Sequence, residues 1–575
     1  MLIKAVAQSI PTYTMGVFQL PIKLCNELNA MCAKFWWGQI GNEKKIHWKG
    51  WNVLSQPKKE GGMGFRDLRN FNLAMLAKQG WRLLQEQNSL MYRCFKARYF
   101  SRCNFLEASD VPNSSFVWKS LMAAQPLLKK GCCWRVGDGS SIRVTKDKWI
   151  LNHPTNMVIH PPLEEEWEWR VSDIIDWRIK EWDRELIEAK FHRDDANAIL
   201  GMPLSRRQAS DLIIWLHTKS GEYSVRSGYH VAREISKQES NKGESSRADL
   251  DGLIWQHLWK MKVPNKIKVF GWRACQNALP TRENLVRCRV VEDGWCEACK
   301  MESESVAHVL WQCGVAQDIW TGSIRKIQKS LTGHSDFNQL VATLTQRLTE
   351  EELELFWVQC WTIWNQRNVV MHGGKLQHPF VLTKRASDFL IEYKDKQALL
   401  ATSVSTESVQ QWRPPTGSVF KLNFDAAIFS NKNSSGVGAI VRNCRGEVMA
   451  GLSARGPPVG CSEEAKVLAC RKALEFALDS GFLDLVVEGD NITVMKAIVS
   501  PHLNRSRLGH IYDDISTLAL GFRSFYVNCI KRNANAVAHC LARYASQLAE
   551  DVVWMEESPP PALQALYSDL AFLNE

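Results

Sequence analysis

The sequence predicts a multidomain chain whose first two thirds are mostly helical and whose last part is an α/β domain with a mixed sheet. Three observations support this prediction. The chain has 575 residues, a length that suggests three or four domains at about 150 residues each. Two polar segments without apolar periodicity, 236–250 and 401–418, have the composition of linkers. After residue 419, strand and helix patterns alternate in the order βββαβαβα.

The two linkers divide the chain into three predicted domains and a tail. The domains span residues 1–235, 251–400 and 419–549, and the tail spans 550–575. Apolar residues make up 45% of the chain and charged residues 23%. Both values are ordinary for globular proteins, so the composition excludes a chain that is disordered throughout.

The first predicted domain begins with helical patterns. Residues 18–100 carry apolar residues at helical spacing on both sides of a Gly-rich turn, EGGMGF (60–65). Further along, WRVGDGSSIRV (134–144) predicts a β-hairpin, because Gly-Asp-Gly-Ser between apolar runs is typical of a turn. GEYSVRSGYHV (221–231) predicts another strand. These segments carry no pattern typical of a catalytic site.

The last predicted domain has the clearest pattern. KLNFDAAIF, GVGAIVRN and EVMAGLSA predict three consecutive strands separated by Gly- and Asn-rich turns. SEEAKVLACRKALEFALDSGF is typical of a helix with a Ser N-cap and a Gly after its end. DLVVEGD and FRSFYVNCI predict two more strands with helical stretches around them, and NANAVAHCLARYASQLA predicts a closing helix.

Neither export nor membrane insertion is expected. The longest apolar runs are shorter than the 18 residues that a membrane span requires, and MLIKAVAQSIPTYT lacks the features of a signal peptide. The 17 Cys are clustered, which favours metal ligation in a reducing compartment over a disulfide framework. We therefore expect an intracellular protein, in the nucleus or the cytoplasm, without a recognisable targeting signal.

Positive charge is concentrated in the N-terminal part of the chain. Residues 1–150 hold 23 Lys and Arg against 9 Asp and Glu, whereas the remaining residues hold 49 against 52. A basic region of this kind suits a polyanion such as nucleic acid. A basic surface without a partner is an equally good interpretation of the composition alone.

Residues 296–313, CEACKMESESVAHVLWQC, predict a zinc site with the spacing C-x2-C-x8-H-x4-C. The candidate ligands are Cys296, Cys299, His308 and Cys313. Four nitrogen and sulfur donors match tetrahedral zinc, and a site with four protein ligands has no open position, which indicates a structural role. Cys275 and Cys288 are nearby alternatives as ligands, and the competing interpretation is four unrelated buried residues.

Residues 255–289 combine eight Lys and Arg with one Glu. The aromatic residues placed among these charges are Trp255, Trp259, Phe270 and Trp272. Basic side chains beside aromatic rings are typical of grooves that bind single-stranded or hybrid nucleic acid. The alternative is an amphipathic helix whose aromatic residues are buried and whose lysines are solvated.

Two acidic residues of the last domain suggest a catalytic metal site. Asp425 lies within the first predicted strand and Asp490 at the end of the fourth. Two such strands can bring their acids to one edge of a sheet, where a pair of Mg²⁺ ions would activate water for phosphodiester hydrolysis. The alternative for Asp490 is a strand-end Asp that caps the next helix.

Together these segments resemble the C-terminal part of the polyprotein of plant non-LTR (LINE-type) retrotransposons, over nearly the whole chain. The first domain is similar to the region after the polymerase palm through SIPTYTMGVFQLP, FWWG, KIHWKGW, PKKEGGMGFRDL and NLAMLAKQGWRL. The second is similar to the reverse-transcriptase zinc-binding domain through WKMKVPNKIKVFGWR, LPTRENL and the Cys and His cluster. The third is similar to type 1 ribonuclease H through KLNFDAA, GVGAIVRNCRGEV, ACRKALEFAL, VVEGDN and RNANAVAHCLARYA.

The resemblance implies a structural zinc and an endonuclease that uses two Mg²⁺ ions to cleave the RNA strand of RNA–DNA hybrids. It implies RNA–DNA hybrids and single-stranded RNA or DNA as partners, recognised through A-form backbone shape and 2′-hydroxyl groups. The paired acids of a polymerase palm are missing. The string Tyr512-Asp513-Asp514 lies in a helical pattern and is interpreted as a coincidence, so no polymerase activity is expected.

The ribonuclease H family uses four acids, and this chain departs from the pattern at two of them. Asp425 and Asp490 match the first and the third acid. Lys466 stands where the family has the second, a Glu, and His539 stands where it has the fourth, an Asp. A lysine repels Mg²⁺ where a glutamate would hold it, while an imidazole can still move a proton.

Glu463 lies one helical turn before Lys466 on roughly the same face and could compensate for it, while Glu464 is expected to point away. Three functions therefore remain open. The chain is an active ribonuclease H, a decayed or domesticated copy that binds nucleic acid without cleaving it, or a zinc-stabilised interaction protein without a nucleic-acid role.

Overall fold

The structure is a computed structural model that describes residues 2–41, 43–151, 153–160, 168–207, 209–239, 248–328, 336–400, 411–500 and 504–571. The chain forms two compact units, each assembled from three stretches of sequence. The first unit contains residues 1–79, 113–123 and 232–405, and the second contains 80–112, 124–231 and 406–575. Most of the two predicted linkers, at 240–247 and 401–410, lies outside the described residues.

Helices dominate residues 2–131 and 248–400, which confirms the predicted helical character of these regions. The earlier helices are Thr12–Met15, Ile22–Trp36, Trp51–Leu54, Leu68–Gln85, Leu90–Tyr99 and Phe116–Gly131. The later ones are Ala248–Lys260, Asn265–Cys275, Arg282–Arg287, Gly314–Thr321, Arg325–Gln328, Phe337–Arg347, Glu350–Met371 and Pro379–Leu400. Of the helices in the described ranges, none combines the length and the apolar character that crossing a membrane requires.

Three of the aromatic residues that were predicted to stack on nucleic acid lie in the core of the first unit. Trp255, Phe270 and Trp272 are only 5%, 6% and 0% exposed. The indole N–H of Trp272 donates to the Gly61 carbonyl at 2.7 Å. Gly61 has a φ of +82°, and a Cβ there would lie 2.9 Å from the Trp255 ring, so the Gly-rich turn packs directly on these rings. The stacking prediction is therefore wrong for these three residues, while Trp259 is half-buried.

In the described part of residues 132–239, the chain forms two short antiparallel strand pairs, three α-helices and a 3-10 turn at Val171–Ile174. Cys132–Arg135 pairs with Leu212–Trp215, and Ile175–Asp176 pairs with Glu181–Trp182. The helices are Arg184–Lys190, Arg193–Leu200 and Val225–Glu239.

Two local predictions for this region are wrong. The predicted hairpin at 134–144 does not form, because the Asp211 carboxylate accepts hydrogen bonds from the backbone N–H groups of residues 137, 139 and 141. These bonds wrap the turn around Asp211, and the strand before it pairs with 212–215. The predicted strand at 221–231 does not form. A helix begins at Val225, and the Ser224 hydroxyl caps its first turn by accepting from the Ser227 N–H at 3.2 Å.

The C-terminal part of the second unit is a six-stranded mixed sheet, which confirms the predicted α/β class. Its strands are β1 (Phe420–Phe429), β2 (Ser434–Arg442), β3 (Val448–Gly456), β4 (Asp484–Gly489), β5 (Ser524–Cys529) and β6 (Val552–Met555). Its helices are α1 (Ser462–Asp479), α2 (Ile492–Val499), α3 (Gly509–Ala519), α4 (Ala536–Tyr544) and α5 (Leu563–Ala571).

The order across this sheet is β6-β3-β2-β1-β4-β5. The pairs β6–β3, β3–β2 and β2–β1 are antiparallel, while β1–β4 and β4–β5 are parallel. Both α2 and α3 lie between β4 and β5 in the sequence, and the residues expected to form a tail supply β6 and α5. The side chain of Arg442 ties α5 to the sheet, because it donates to the buried Asp569 carboxylate at 2.7 Å.

Helix α4 packs against β2 at unusually short range. Gly438 makes this possible, because a Cβ at that position would lie 2.2 Å from the Ala538 carbonyl oxygen and 2.3 Å from the Ala542 nitrogen. Gly438 is paired with Asp425 in the ladder between β1 and β2. A glycine in β2 therefore brings α4, which carries His539, next to the acid of β1.

Candidate functional site

The four predicted zinc ligands converge in the first unit. The donor atoms of Cys296, Cys299, His308 and Cys313 all lie within 4.8 Å of one another. The Cys296 and Cys313 sulfurs are 3.9 Å apart, and the Cys299 sulfur is 3.3 Å from His308 Nε2. Cys296, His308 and Cys313 are buried. The alternatives, Cys275 and Cys288, are not part of this group.

The electrostatics of this cluster suit zinc. The Glu302 carboxylate accepts the Nδ1–H of His308 at 3.1 Å, which leaves Nε2 facing the thiols. Hydrogen bonds from Cys313 and His308 hold the pKa of Cys296 well below its usual value. The Cys296 thiolate in turn raises the pKa of His308 to about 9. Zinc binds thiolate sulfur and imidazole nitrogen, so this donor set fits a tetrahedral zinc ion.

Asp425 and Asp490 also converge, but a lysine lies between them. The Lys466 ammonium is 3.2 Å from Asp425 Oδ1 and donates a hydrogen bond to Asp490 Oδ1. The side chains of all three residues are less than a tenth exposed. On the other side of Asp425, the Nδ1–H of His539 donates to Oδ2 at 2.8 Å. The structure therefore brings together four of the positions that the sequence pattern singled out.

The other two acidic candidates of helix α1 face a different part of the second unit. Glu464 is buried and accepts a hydrogen bond from Arg507 at 3.0 Å. Glu463 is half-buried and lines a cavity together with Trp215 and Arg507. The groove that contains Asp425, Lys466 and His539 does not include Glu463. The compensation expected from Glu463 thus has no support in the geometry.

The residues present do not fit a pair of Mg²⁺ ions. Magnesium requires several oxygen ligands around each ion, and the two carboxylates available here are already paired with an ammonium. At an effective dielectric constant near 20, a charge about 4 Å away contributes roughly 4 kcal/mol of repulsion per unit charge on the metal. Arg532, whose Nε is 3.7 Å from Asp490 Oδ2, adds further positive charge beside this carboxylate.

The string Tyr512-Asp513-Asp514 lies in helix α3. Asp514 is buried and accepts hydrogen bonds from the Ser205 hydroxyl at 2.7 Å, from the Arg206 N–H at 2.9 Å and from the Arg471 guanidinium at 2.9 Å. With three donors already in place, this carboxylate joins residues 205–206 to α3 and has a structural role.

Comparisons with known proteins cover both candidate sites. A family described as "zinc-binding in reverse transcriptase" matches residues 223–320, and one described as "Reverse transcriptase-like" matches residues 423–545. An Arabidopsis thaliana protein named "Putative ribonuclease H protein At1g65750" is 26% identical over 569 residues, which are 95% of this chain and 88% of that protein. A second, "Uncharacterized mitochondrial protein AtMg00310", is 37% identical over 145 residues, which are 25% of this chain and 94% of that protein.

The chain belongs to a family of retrotransposon-derived proteins. In this family a reverse-transcriptase zinc-binding domain precedes a ribonuclease H-like domain. Among solved structures, RNase H1 from Halobacterium salinarum has a TM-score of 0.21 at 25% identity and covers 22% of this chain and 97% of its own. The N-terminal RNase H domain of a Mycobacterium tuberculosis protein has a TM-score of 0.20 at 21% identity and covers 23% and 95%.

Sequence reasoning missed three residues of these sites. Glu302, which orients His308 in the zinc-binding domain, had a signal, since it stands between the Cys pair and the His in MESESVAH. Arg532 precedes helix α4 of the ribonuclease H-like domain and has the sequence context of an ordinary surface cation. Gly438 appeared only as part of a Gly-rich strand, and its role depends on a helix almost 100 residues away in the sequence.

Proposed function

We propose that this chain binds RNA–DNA hybrids through its ribonuclease H-like domain and cleaves them weakly or not at all. The observation that carries this proposal is the position of Lys466, whose ammonium lies between Asp425 and Asp490. In this arrangement the lysine supplies the positive charge that metal ions would otherwise supply. The two carboxylates are neutralised by the chain itself and are not free to assemble a metal pair.

Nucleic-acid binding is supported by the distribution of charge. Residues 1–150 hold 23 Lys and Arg against 9 Asp and Glu. In the segment 255–289, Lys260, Lys262 and Lys266 are exposed, whereas Trp255 and Trp272 are buried and Trp259 is half-buried. We therefore expect this segment to contact phosphates and not bases. Each phosphate contact releases a counterion, so affinity should fall steeply as the salt concentration rises.

The second candidate function is an active endonuclease of the ribonuclease H type. It is favoured by the convergence of Asp425 with His539 and, through their shared contact with Lys466, with Asp490. We also infer a LINE-type origin from the order of the segments that the sequence resembles.

For the zinc-binding domain, we propose that four residues hold a structural zinc, namely Cys296, Cys299, His308 and Cys313. The zinc would cross-link residues 296–313 and supply no catalysis.

A binding and cleavage assay on a labelled RNA–DNA hybrid with Mg²⁺ separates the two candidates. The unmodified chain should bind the hybrid and release little product. Lys466→Glu should gain Mg²⁺-dependent cleavage of roughly tenfold or more, about 1.4 kcal/mol in the barrier, because it removes the ammonium and adds a carboxylate. Asp425→Asn in that background should abolish the gain.

The matched control is Lys496→Glu. Lys496 is exposed on helix α2, and its substitution makes the same change of charge. Within the described residues, the ion pairs of Asp425 and Asp490 are with Lys466, Arg532 and His539, and Lys496 takes no part in them. It should leave cleavage at the level of the unmodified chain. An active ribonuclease H is assayed in parallel. If the unmodified chain cleaves as fast as this enzyme, the role given to Lys466 is wrong. If the chain does not bind the hybrid, the binding function is wrong.

A further inference from the structure

An open groove runs from Asp425, Lys466 and His539 to the C-terminal segment of the ribonuclease H-like domain. Its volume is about 1150 Å³. At one end it is lined by residues of β1 and α1, and at the other by the end of α4, by β6 and by Pro560 and Pro561. The groove therefore connects the site proposed for hybrid binding with residues beyond the predicted domain boundary at 549.

Two aromatic side chains lie together at the far end of this groove. The Tyr544 ring, at the end of α4, and the Trp554 ring, in β6, have centroids 6.3 Å apart and planes inclined by 46°. Both residues are half-buried and line the groove. Trp554 also packs against an apolar cluster that includes residues of β2, α4 and α5. The rings are thus held by the fold while part of their surface faces the groove.

The charges along the groove are mainly positive. Arg532, Arg543 and Lys466 line it together with His539. The acid that lines it is Asp425, which is already paired with Lys466 and His539. The Arg532 side chain is 77% exposed. Arg543 is exposed and has no ion-pair partner within the described part of the chain.

The acidic residues that flank β6 do not cancel this charge. Asp551 pairs with Lys472 at 3.2 Å and accepts the backbone N–H of Arg455, and it does not line the groove. Glu556 and Glu557 follow the strand at its exposed end and are also outside the groove lining. Aromatic rings beside cations along one open channel are the features that bind single-stranded nucleic acid.

We propose that the end of α4 and the segment 552–561 form a subsite for a single-stranded polynucleotide that continues from the hybrid held at Asp425. Trp554 and Tyr544 stack on its bases, and Arg543 contacts a phosphate. The strand is unpaired at this point, because the face of a paired base inside a duplex is covered by its neighbours. The inference rests on the proposed function, since the bound hybrid is what delivers the strand to the groove.

Fluorescence anisotropy with the full chain, without added Mg²⁺, tests this subsite. The blunt labelled hybrid is compared with hybrids that carry a short single-stranded overhang at each end of either strand in turn. The unmodified chain should bind at least one overhang hybrid roughly tenfold more tightly than the blunt one. This ratio corresponds to a binding free energy near the lower end of the range for stacking one base on an aromatic side chain. Trp554→Ala should remove this advantage, and Trp554→Phe should retain most of it.

A second variant keeps the test independent of folding. Arg543→Gln changes an exposed side chain. It should lower the slope of log affinity against log salt concentration for overhang binding by about one unit. Arg445→Gln, which removes an exposed arginine from the turn between β2 and β3 outside the groove, should keep both the advantage and the slope.

The outcomes separate the two proposals. A chain that does not bind the blunt hybrid would overturn the proposed function, and the subsite with it. Binding of the blunt hybrid without an advantage for any overhang would overturn the subsite alone. An overhang advantage that survives both Trp554→Ala and Arg543→Gln would place the single strand elsewhere and would also overturn the subsite.

Discussion

The buried imidazole of His510 makes the stability of the second unit depend on pH. The His510 side chain is almost fully buried, and its Nε2–H donates to the Pro203 carbonyl at 2.9 Å. Burial lowers the pKa of His510 to about 3, and the positive charges of Arg135, Arg471 and Arg507 act in the same direction. Between this value and the usual pKa near 6.5, the unfolded chain binds a proton that the folded chain does not bind. The folded state therefore loses stability as the pH falls below about 6.5.

His510→Gln should reduce this loss. Glutamine keeps an N–H donor for Pro203 and does not titrate. At about pH 5 the histidine should cost the folded state roughly 2 kcal/mol, from 1.36 kcal/mol per pKa unit. The free energy of unfolding of the second unit, measured with urea, should fall between about pH 7.5 and pH 5. This fall should be smaller in the variant by the same amount. His47→Gln, at an exposed histidine of the first unit, is the control, and equal falls in His510→Gln and the unmodified chain would contradict the assignment.

The resemblance to ribonuclease H predicted where the atypical residues of the site stand, but not how they are arranged. Lys466 was located from that resemblance, because the segment ACRKALEFAL fixes its place in the family pattern. The direction of its side chain was open, since a long lysine can reach solvent or turn inward. The two buried carboxylates decide this by offering the ammonium two partners. Glu463 precedes Lys466 by three residues, which on an α-helix leaves the two side chains about 60° apart, and it lines another cavity.

Among the elements of the sheet domain, helix α4 packs closely on β2 because two residues of β2 beneath it are glycines without side chains. Gly438 and Gly436 of β2 both face its backbone, and a Cβ on either would lie within 2.3 Å of a carbonyl oxygen of α4. Because these contacts are with backbone atoms, no side-chain rotation relieves them. The helix would have to move away from the sheet, and His539 would move with it.

Gly438→Ala should therefore destabilise the second unit and separate His539 from Asp425. Overpacking a well-packed interior typically costs about 1–3 kcal/mol, and the backbone contact puts this substitution at the upper end. Chemical denaturation measures the loss. Gly252→Ala, at a helical glycine with open space around it, should be neutral or slightly stabilising because alanine is the better helix former. A loss for Gly438→Ala no larger than that for Gly252→Ala would contradict the close packing of α4.

Local pattern predicted the elements of the sheet domain better than those of residues 132–239. Strands β1 to β5 alternate with turn residues that act over a few positions, so their signals are local. The segment 221–231 has an alternation that suits a strand, but the Ser224 cap and the burial of Val231 and Ala232 favour a helix. Strand β6 was not predicted, because four residues beside a proline run carry little pattern and its pairing with β3 is supplied from about 100 residues away.

At the scale of the whole molecule, the boundaries in sequence are not the boundaries of the compact units. The second unit draws residues 124–231 together with the sheet domain. Arg135 donates to the carbonyl of Asn504 at 2.7 Å, and Asp514 accepts from Ser205 at 2.7 Å. Contacts between residues more than 300 positions apart leave no periodic signal. Linker composition therefore carries no information about which stretches pack together.

The first unit, by contrast, contains a Cys and His cluster that the sequence did predict. Cys296, His308 and Cys313 are buried within it, and Trp311 between the last two ligands lies in its apolar core. A bound zinc would hold both ends of this segment against the core. Because such a site is not preformed in an unfolded chain, the free energy of metal binding becomes part of the free energy of folding.

Removing the metal should therefore destabilise the first unit and spare the second. The purified chain should contain one zinc, and a chelator or Cys296→Ser should lower the unfolding temperature of one transition only. The other transition, identified by its sensitivity to His510→Gln at low pH, should stay in place because the second unit contains none of the four ligands. Cys288→Ser, at an exposed cysteine outside the cluster, should keep both the zinc and the first transition. Full zinc content in Cys296→Ser would rule out this ligand set, since four donors within 4.8 Å leave the ion three when one sulfur is replaced.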